Sequence, residues 1–184
     1  MKEYIRFSLV LFVIAGLASG ILAYVNSISS PIIADNQKKA EILARKSVLP
    51  EASDFTEKNL DNFKYFVGID KNKKSVGYTF IAYGPGYSST VQTMVGVKPD
   101  LSIENIQIIY QSETPGLGAN CVKPDFQKQF SGMKIPSLAV DKDGGKVVSL
   151  TGATISSRAI TKSIKAGLLE LQKAVKSGKS GGSK

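Results

Sequence analysis

The sequence predicts an α+β protein: a single N-terminal transmembrane helix is followed by one domain in which helices flank an antiparallel sheet. Three patterns favour this class. Residues 7–25 contain no charge, short segments that alternate polar and apolar residues follow between 65 and 110, and residues 157–175 repeat apolar side chains at helical spacing. With 184 residues, the chain has room for one domain and an anchor.

The uncharged segment is long enough, as a helix, to nearly cross a hydrocarbon core of about 30 Å. Lys2 and Arg6 precede it, so the positive-inside rule places the N-terminus in the cytoplasm and the rest of the chain outside. A cleaved signal peptide is the alternative, because the small residues at 18–20 suit cleavage. The apolar run continues beyond that point, and we therefore expect an uncleaved, single-pass anchor in the cell (inner) membrane.

Residues 32–49 predict an amphipathic helix that Pro50 ends. Its apolar side chains fall near one face and are Ile32, Ala40, Ile42, Leu43 and Val48. An antiparallel meander of four strands is predicted next, from alternating patterns separated by turn residues. The ranges of these strands are 65–70, 75–83, 90–97 and 103–110.

The C-terminal third predicts a short helix from Pro124, a strand over 146–150 and a final helix over 157–175. The apolar residues of the final helix share one face and are Ile160, Ile164, Leu168, Leu171 and Val175. The end of the chain is rich in Gly and Ser, which predicts a flexible tail. The expected organisation is an anchor in 1–30, a connecting helix and linker in 31–60, one extracytoplasmic domain in 61–176 and the tail in 177–184.

The composition excludes several kinds of chemistry. The chain has no histidine and a single cysteine, Cys121. These counts exclude a Ser-His-Asp or Cys-His catalytic apparatus, an intrachain disulfide, and zinc sites built from His or Cys. A lone thiol is usually a packing residue, so Cys121 is given no role. The composition favours a bound cofactor, and neither a catalytic residue nor a metal ligand is predicted.

The positive charge is concentrated near the C-terminus. Residues 32–120 contain ten basic and ten acidic residues, whereas residues 121–184 contain twelve basic and four acidic ones, a net charge of +8. A uniformly basic nucleic-acid-binding protein would not divide its charge in this way, and no basic stretch rich in aromatic residues is present. We therefore predict no nucleic-acid partner.

Residues 151–157, Thr-Gly-Ala-Thr-Ile-Ser-Ser, join the last predicted strand to the final helix. Gly152 and Ala153 keep side-chain bulk away from the backbone, so a phosphate could approach it closely beside the Thr154 hydroxyl. Ser156 is a candidate N-cap, and the free N–H groups beyond it favour an anion. Ser and Thr commonly cap helices without any ligand, and this second interpretation explains the same residues.

Two further loops have compositions that suit a binding site. Residues 113–118, Glu-Thr-Pro-Gly-Leu-Gly, indicate a rigid loop whose exposed backbone amides could bond the edge of a heterocycle. Residues 83–89, Tyr-Gly-Pro-Gly-Tyr-Ser-Ser, indicate a glycine-rich turn with two aromatic rings that could stack or pack. An ordinary turn is the alternative interpretation of each loop.

In combination, these segments resemble the G subunit of the Rnf electron-transport complex and the related C subunit of the sodium-pumping NADH:quinone oxidoreductase. Three segments carry the resemblance: ETPGLG at 113–118, TGATISS at 151–157 and GYSSTVQTMVGV at 86–97. An N-terminal membrane helix that leads into a helix ending in VLP at 48–50 also fits. The resemblance extends from the anchor to about residue 175.

The resemblance implies an FMN-binding domain whose flavin is attached covalently, through a phosphoester between the FMN phosphate and the hydroxyl of Thr154. It also implies that the 113–118 loop surrounds the isoalloxazine ring. The candidate cofactor-binding residues are Glu113, Thr114, Gly116, Leu117 and Gly118 in that loop, with Thr151, Gly152, Ala153 and Ser156 in the attachment motif. The family often has an Asp where this chain has Val148, a departure that bears on recognition by the enzyme that attaches the flavin.

The resemblance further implies an electron-carrying subunit of a membrane complex that couples electron transfer between ferredoxin and NAD to the translocation of Na⁺ or H⁺. The implied partners are the other membrane subunits, a flavin transferase that uses FAD as donor, and the lipid bilayer. The polypeptide alone would catalyse no net turnover.

Two other functional classes fit the residues. A membrane-anchored binding module of the same fold, without covalent flavin, would use the pocket for another ligand, and Val148 favours it. An extracytoplasmic hydrolase would use Glu113 with Asp141 or Asp143 as acid and base. Both aspartates lie in a polar turn that offers no apolar surroundings to shift a pKa, so this class ranks last.

Overall fold

A computed structural model of the chain describes residues 2–180, with side-chain surroundings for residues 3–177. The chain divides into an N-terminal unit that ends at Ala40 and a C-terminal unit that begins at Glu41.

The first element is one long helix, α1 (Lys2–Val48), which contains Pro31. Among the helices of the described chain, α1 is the one that is long and apolar enough to cross a membrane. The side chains of its apolar N-terminal part are not buried against protein. The helix predicted over 32–49 is partly confirmed: it ends at Val48, just before Pro50, but it continues from the anchor without a break, as the last part of α1. The predicted apolar face is also only partly correct. Val48 is buried, as is Ala44, whereas Ile42 and Leu43 are exposed.

The C-terminal unit is built on a five-stranded sheet in which each strand pairs with the next one along the chain. The strands are β1 (Asp54–Leu60), β2 (Phe63–Ile69), β3 (Ser75–Pro85), β4 (Thr90–Val97) and β5 (Ile103–Tyr110). Every pairing is antiparallel. The four predicted strands correspond to β2–β5, and β1 is an edge strand that the prediction missed.

After β5 the chain forms short helical turns rather than strands. They are α2 (Pro124–Gln127) and four 3₁₀ turns, which span Gly118–Val122, Lys128–Phe130, Ile135–Ser137 and Asp141–Asp143. The strand predicted over 146–150 is wrong: Val147 makes one isolated bridge to Val140. The backbone of Val148 bonds instead to the side-chain amide of Gln129, so no neighbouring strand extends the pairing.

The last helix, α3 (Thr154–Ser180), packs on β3. The predicted apolar face is confirmed, because Ile160, Ile164, Leu168 and Leu171 are fully buried and Val175 packs against the same core. The helix begins three residues earlier than predicted. It also continues through residues 177–180, where a flexible tail was expected, and residues 181–184 lie outside the described residues.

The opposite face of the sheet is covered by the end of α1. Ala44 and Val48 form a small cluster there with Met94 of β4. The approach of the two backbones is close, since a Cβ on Gly96 would overlap with the carbonyl group of Val48. The end of α1 and helix α3 thus cover opposite faces of the sheet, and the candidate site forms at the end of the sheet where β4 starts and β5 finishes.

Candidate functional site

The site is a cavity of about 480 Å³, a size common for small-molecule and cofactor sites. Three segments form it: the turn between β3 and β4, the loop after β5, and the first turn of α3. The lining residues are Tyr87, Glu113, Thr114, Leu117, Gly118, Gly152, Ala153, Thr154, Ile155 and Ser156. The antiparallel register brings the first two segments together, because the first residues of β4 and the last residues of β5 lie at the same end of the sheet.

Glu113 connects the three segments. Its side chain is 6% exposed, and its carboxylate accepts hydrogen bonds from the backbone N–H groups of Tyr87 (3.1 Å), Ser88 (3.0 Å) and Ser89 (2.9 Å). The hydroxyl group of Ser156 in α3 also donates to this carboxylate. The acceptor positions of Glu113 are therefore occupied by the protein's own donors.

These donors control the ionisation of Glu113. Burial alone raises the pKa of a carboxyl group, but the hydrogen bonds from Ser156 and from the three backbone amides outweigh burial. The net result is a pKa of Glu113 below the ordinary value for glutamate, so the side chain is charged at neutral pH.

Two glycines make room for this carboxylate. A Cβ on Gly86 would lie 2.6 Å from Oε1 of Glu113, and a Cβ on Gly118 would lie 2.7 Å from Oε2. Both distances are too short for a real side chain. The glycines of the two loops therefore have a packing role that turn composition alone does not reveal.

The first turn of α3 presents an anion-binding arrangement. Thr154 is its first residue, and the N–H groups of residues 154–156 have no carbonyl one turn earlier to bond. The Thr154 hydroxyl makes no hydrogen bond to another described residue. Gly152 adopts a positive φ of 72°, a conformation that glycine takes without strain. A phosphate attached to Thr154 would lie beside free amides at the positive end of the helix dipole.

The prediction of Ser156 as N-cap was wrong, because α3 already begins at Thr154. Ser156 lies inside the first turn and points to Glu113. Ser157 secures the entry to the helix instead: its hydroxyl accepts the N–H of Leu150 (3.0 Å) and donates to the carbonyl of Ala153 (3.0 Å).

The structure brings most of the predicted site residues to one cavity. Eight of the ten line it, and the exceptions are Gly116 and Thr151, which are exposed and lie beside it. Tyr87 and Ile155 were not among the predicted contacts, although both side chains line the cavity and are largely exposed. The sequence did contain signals for both residues: Tyr87 lies in the glycine-rich turn 83–89, and Ile155 lies in the motif 151–157.

The structure does not support an acid–base pair for hydrolysis. Asp143 is held by Arg158, through two hydrogen bonds of 2.7 Å. Asp141 accepts hydrogen bonds from the N–H and hydroxyl groups of Ser149. Neither aspartate lines the cavity of Glu113, so the hydrolase hypothesis lacks its second carboxylate.

Among the described residues, no cluster of three potential metal ligands is found. Cys121 is fully buried in the core and unpaired. Burial, reinforced by the negative charge of Glu113, raises the pKa of the Cys121 thiol to about 11. The thiolate form that redox or metal chemistry requires is therefore scarce at neutral pH.

Comparison with known proteins adds a family to this geometry. A family model described as FMN-binding domain matches residues 86–169, a range that contains all three segments of the cavity. The G subunit of the proton-translocating ferredoxin:NAD(+) oxidoreductase complex of Clostridium ljungdahlii is 34% identical over 148 residues, which are 79% of this chain and 79% of that protein.

The G subunit of the Na(+)-translocating ferredoxin:NAD(+) oxidoreductase complex of Acetobacterium woodii is 32% identical over 186 residues, with 89% of each chain covered. Among solved structures, the crystal structure of the C subunit of Na(+)-translocating NADH-quinone reductase from Parabacteroides distasonis matches with a TM-score of 0.49 and 28% identity. That match covers 58% of this chain and 59% of the other.

Proposed function

The chain belongs to the family of G subunits of ion-translocating oxidoreductase (Rnf) complexes, and we propose that it is the electron-carrying flavoprotein subunit of such a complex. In this role it carries electrons that pass between ferredoxin and NAD, while the assembled complex moves Na⁺ or H⁺. The observation that carries the proposal is the unbonded Thr154 hydroxyl at the start of α3, which faces a cavity of about 480 Å³.

The residues around the cavity suit FMN at both of its ends. The free N–H groups at the start of α3 match a phosphate, because they donate hydrogen bonds and lie at the positive end of the helix dipole. The side chains of Tyr87, Leu117 and Ile155 give the cavity apolar walls, which match a planar ring system. When bound, FMN supplies the electron chemistry, and the protein supplies its position and surroundings.

Thr154 is the proposed attachment residue. Its hydroxyl oxygen would form the ester bond to the FMN phosphorus of FAD, in a reaction catalysed by a flavin transferase. The pyrophosphate bond of FAD would break, AMP would leave, and the hydroxyl proton would be released. Gly152 and Ala153 place no long side chain next to Thr154 in the sequence, and Gly152 adopts a positive φ that suits glycine. A covalent link would retain the cofactor in a domain that lies outside the cytoplasm.

The proposed location follows from the anchor. The apolar part of α1 would span the cell membrane once, with Lys2 and Arg6 on the cytoplasmic side. The domain that binds FMN would then lie on the extracytoplasmic side, next to the other membrane subunits of the complex. The chain on its own would transfer electrons without net turnover.

The experiment that tests attachment is the intact mass of the full chain, co-expressed with a flavin transferase and exported. We expect a mass gain of one FMN less one water in the wild type and no gain in Thr154→Val. The matched control is Thr56→Val, because Thr56 is exposed on β1 and does not line the cavity; this variant should gain the same mass as the wild type. Thr151→Val tests the other threonine of the motif.

Two results would contradict the proposal. An unmodified, colourless wild type would exclude the covalent flavin and favour a binding module of the same fold. A mass gain that persists in Thr154→Val but is lost in Thr151→Val would move the attachment from Thr154 to Thr151.

A further inference from the structure

Glu113 is a charged side chain buried beside the cavity, and its contacts are with the protein. We propose that Glu113 is a positioning residue, whose carboxylate holds the 86–89 turn and the first turn of α3 in place around the cavity before the cofactor is attached. The inference rests on the proposed function only for the identity of the cofactor. The contacts that carry it belong to the chain itself.

The first contact fixes the turn between β3 and β4. Three successive backbone N–H groups, those of residues 87–89, point at the two oxygens of one carboxylate. The Ser89 hydroxyl also lies 3.3 Å from Oε1. Because hydrogen bonds to a charged carboxylate are stronger than those between neutral groups, this turn depends on the anion. The backbone of Tyr87, a residue that lines the cavity, is thereby held in position.

The second contact fixes the start of α3. The Ser156 side chain is 1% exposed, and its hydroxyl donates to the same carboxylate. Ser156 lies two residues after Thr154, within the same helical turn. A single carboxylate therefore links the segment that bears the attachment residue to the turn that bears Tyr87.

The surroundings of residue 113 favour a carboxylate over other side-chain groups. Gly86 and Gly118 pack directly against its oxygens, so the space holds a planar carboxylate and little else. A glutamine has the same shape, but its NH₂ group would face N–H and O–H donors instead of accepting their hydrogen bonds. Because protein donors occupy the carboxylate oxygens, Glu113 acts on the cofactor through Tyr87 and Ser156.

The direct test is hydrogen exchange, followed by mass spectrometry, on the flavin-free full chain in detergent micelles. In Glu113→Gln we expect at least tenfold faster exchange in a peptide that covers residues 86–93, with the β1–β2 hairpin unchanged. The matched control is Glu170→Gln, which removes a carboxylate of α3 that pairs with Lys173 at the surface; its exchange should equal that of the wild type. Unchanged exchange over 86–93, or an equal increase in the hairpin, would overturn the proposal.

A pH profile separates positioning by the charge from simple packing. The titratable group that interacts with the carboxylate from a neighbouring element is the thiol of Cys121, and α3 presents the Ser156 hydroxyl. The pKa of Glu113 is lowered, so its contribution is complete above the ordinary glutamate pKa and is lost as the pH falls through the lowered value. Protection of 86–93, corrected for intrinsic exchange, should fall with acid in the wild type and not in Glu113→Gln. A flat wild-type profile would refute the role of the charge.

A milder variant keeps the test decisive if Glu113→Gln does not fold. Ser156→Ala removes one donor, and we expect faster exchange at the start of α3 with protection of 86–93 largely kept. The same variant should lower the fraction of chains modified at Thr154 by intact mass. Unchanged exchange and unchanged modification in Ser156→Ala would overturn the link.

A wild type that acquires no FMN would refute the proposed function, while the exchange data would still decide the role of Glu113.

Discussion

Gly167 of α3 lies directly against the ring of Phe80 on β3. A Cβ at position 167 would overlap with Cε2 of Phe80 and would lie 2.9 Å from its Cδ2 and Cζ atoms. Phe80 is 1% exposed and belongs to the core between the sheet and the helix. The glycine thus sets how closely α3 approaches the sheet.

This contact predicts the sign of a Gly167→Ala substitution. Helix propensity alone favours alanine by about 1 kcal/mol, but overpacking a core costs about 1–3 kcal/mol. We expect the clash to outweigh propensity, with a net loss of stability in thermal unfolding of the full chain. Adding Phe80→Leu should restore part of the loss, because it removes ring atoms from the contact. A Gly167→Ala variant more stable than the wild type would contradict the predicted contact.

A second prediction concerns Arg45, near the end of α1. The centre of its guanidinium group lies 3.5 Å from the ring centroid of Phe66 and 5.8 Å from that of Phe55. Arg45→Met keeps most of the length and removes the charge, and we expect it to lower the free energy of unfolding by about 1 kcal/mol. Lys46→Met is the control, since Lys46 is exposed. Equal effects of the two substitutions would exclude a specific cation–π contribution.

A third prediction concerns Val148, which lies three residues before the 151–157 motif. Its side chain is 62% exposed, so Val148→Asp adds a charge that water can solvate at little cost to stability. If the transferase reads this position, modification of Thr154 should proceed several-fold faster in a time course of intact mass. Val122→Asp, at another exposed valine, should leave the rate unchanged. Equal rates in all three proteins would show that position 148 does not matter for attachment.

A fourth prediction concerns the ionisation of Asp143. The hydrogen bonds from Arg158 lower the pKa of this carboxyl group below its ordinary value. A lowered pKa means that the ion pair stabilises the fold above the ordinary aspartate pKa of about 3.9 and loses this effect as the pH falls through the lowered value. In Arg158→Met we expect the pKa of Asp143 to rise, as followed by carboxyl NMR. An unchanged titration would show that the pair does not form in solution.

The sheet was predictable because its strands obey simple alternation. β4 and β5 were placed with correct ends because turn residues separate them, although burial in β4 does not alternate and residues 93–97 are all buried. β1 was not predicted, because its sequence, Asp-Phe-Thr-Glu-Lys-Asn-Leu, is polar and its side chains are mostly exposed at the edge of the sheet. The strand expected over 146–150 failed for the opposite reason. Its apolar residues looked like a strand, but Val148 is exposed and its backbone is bonded by a side chain.

The candidate site was predictable as a set of segments and not as a network of contacts. The motifs at 113–118 and 151–157 correspond to two of the three segments that form the cavity. Their glycines, threonines and serines suit tight backbone geometry. The role of Glu113 was not available from spacing. The serine that meets it lies 43 residues away along the chain, and only the fold brings the two together.

The order of the strands has a consequence for biosynthesis. Each strand pairs with its predecessor, so the sheet can grow from short-range contacts while the chain is still emerging, a topology that favours rapid folding. The segment that contains Thr154 is synthesised after all five strands of the sheet. A truncated product that ends before it could hold the sheet but would have no place for the cofactor. If the flavin is attached as proposed, its presence would mark chains whose synthesis has passed the first turn of α3.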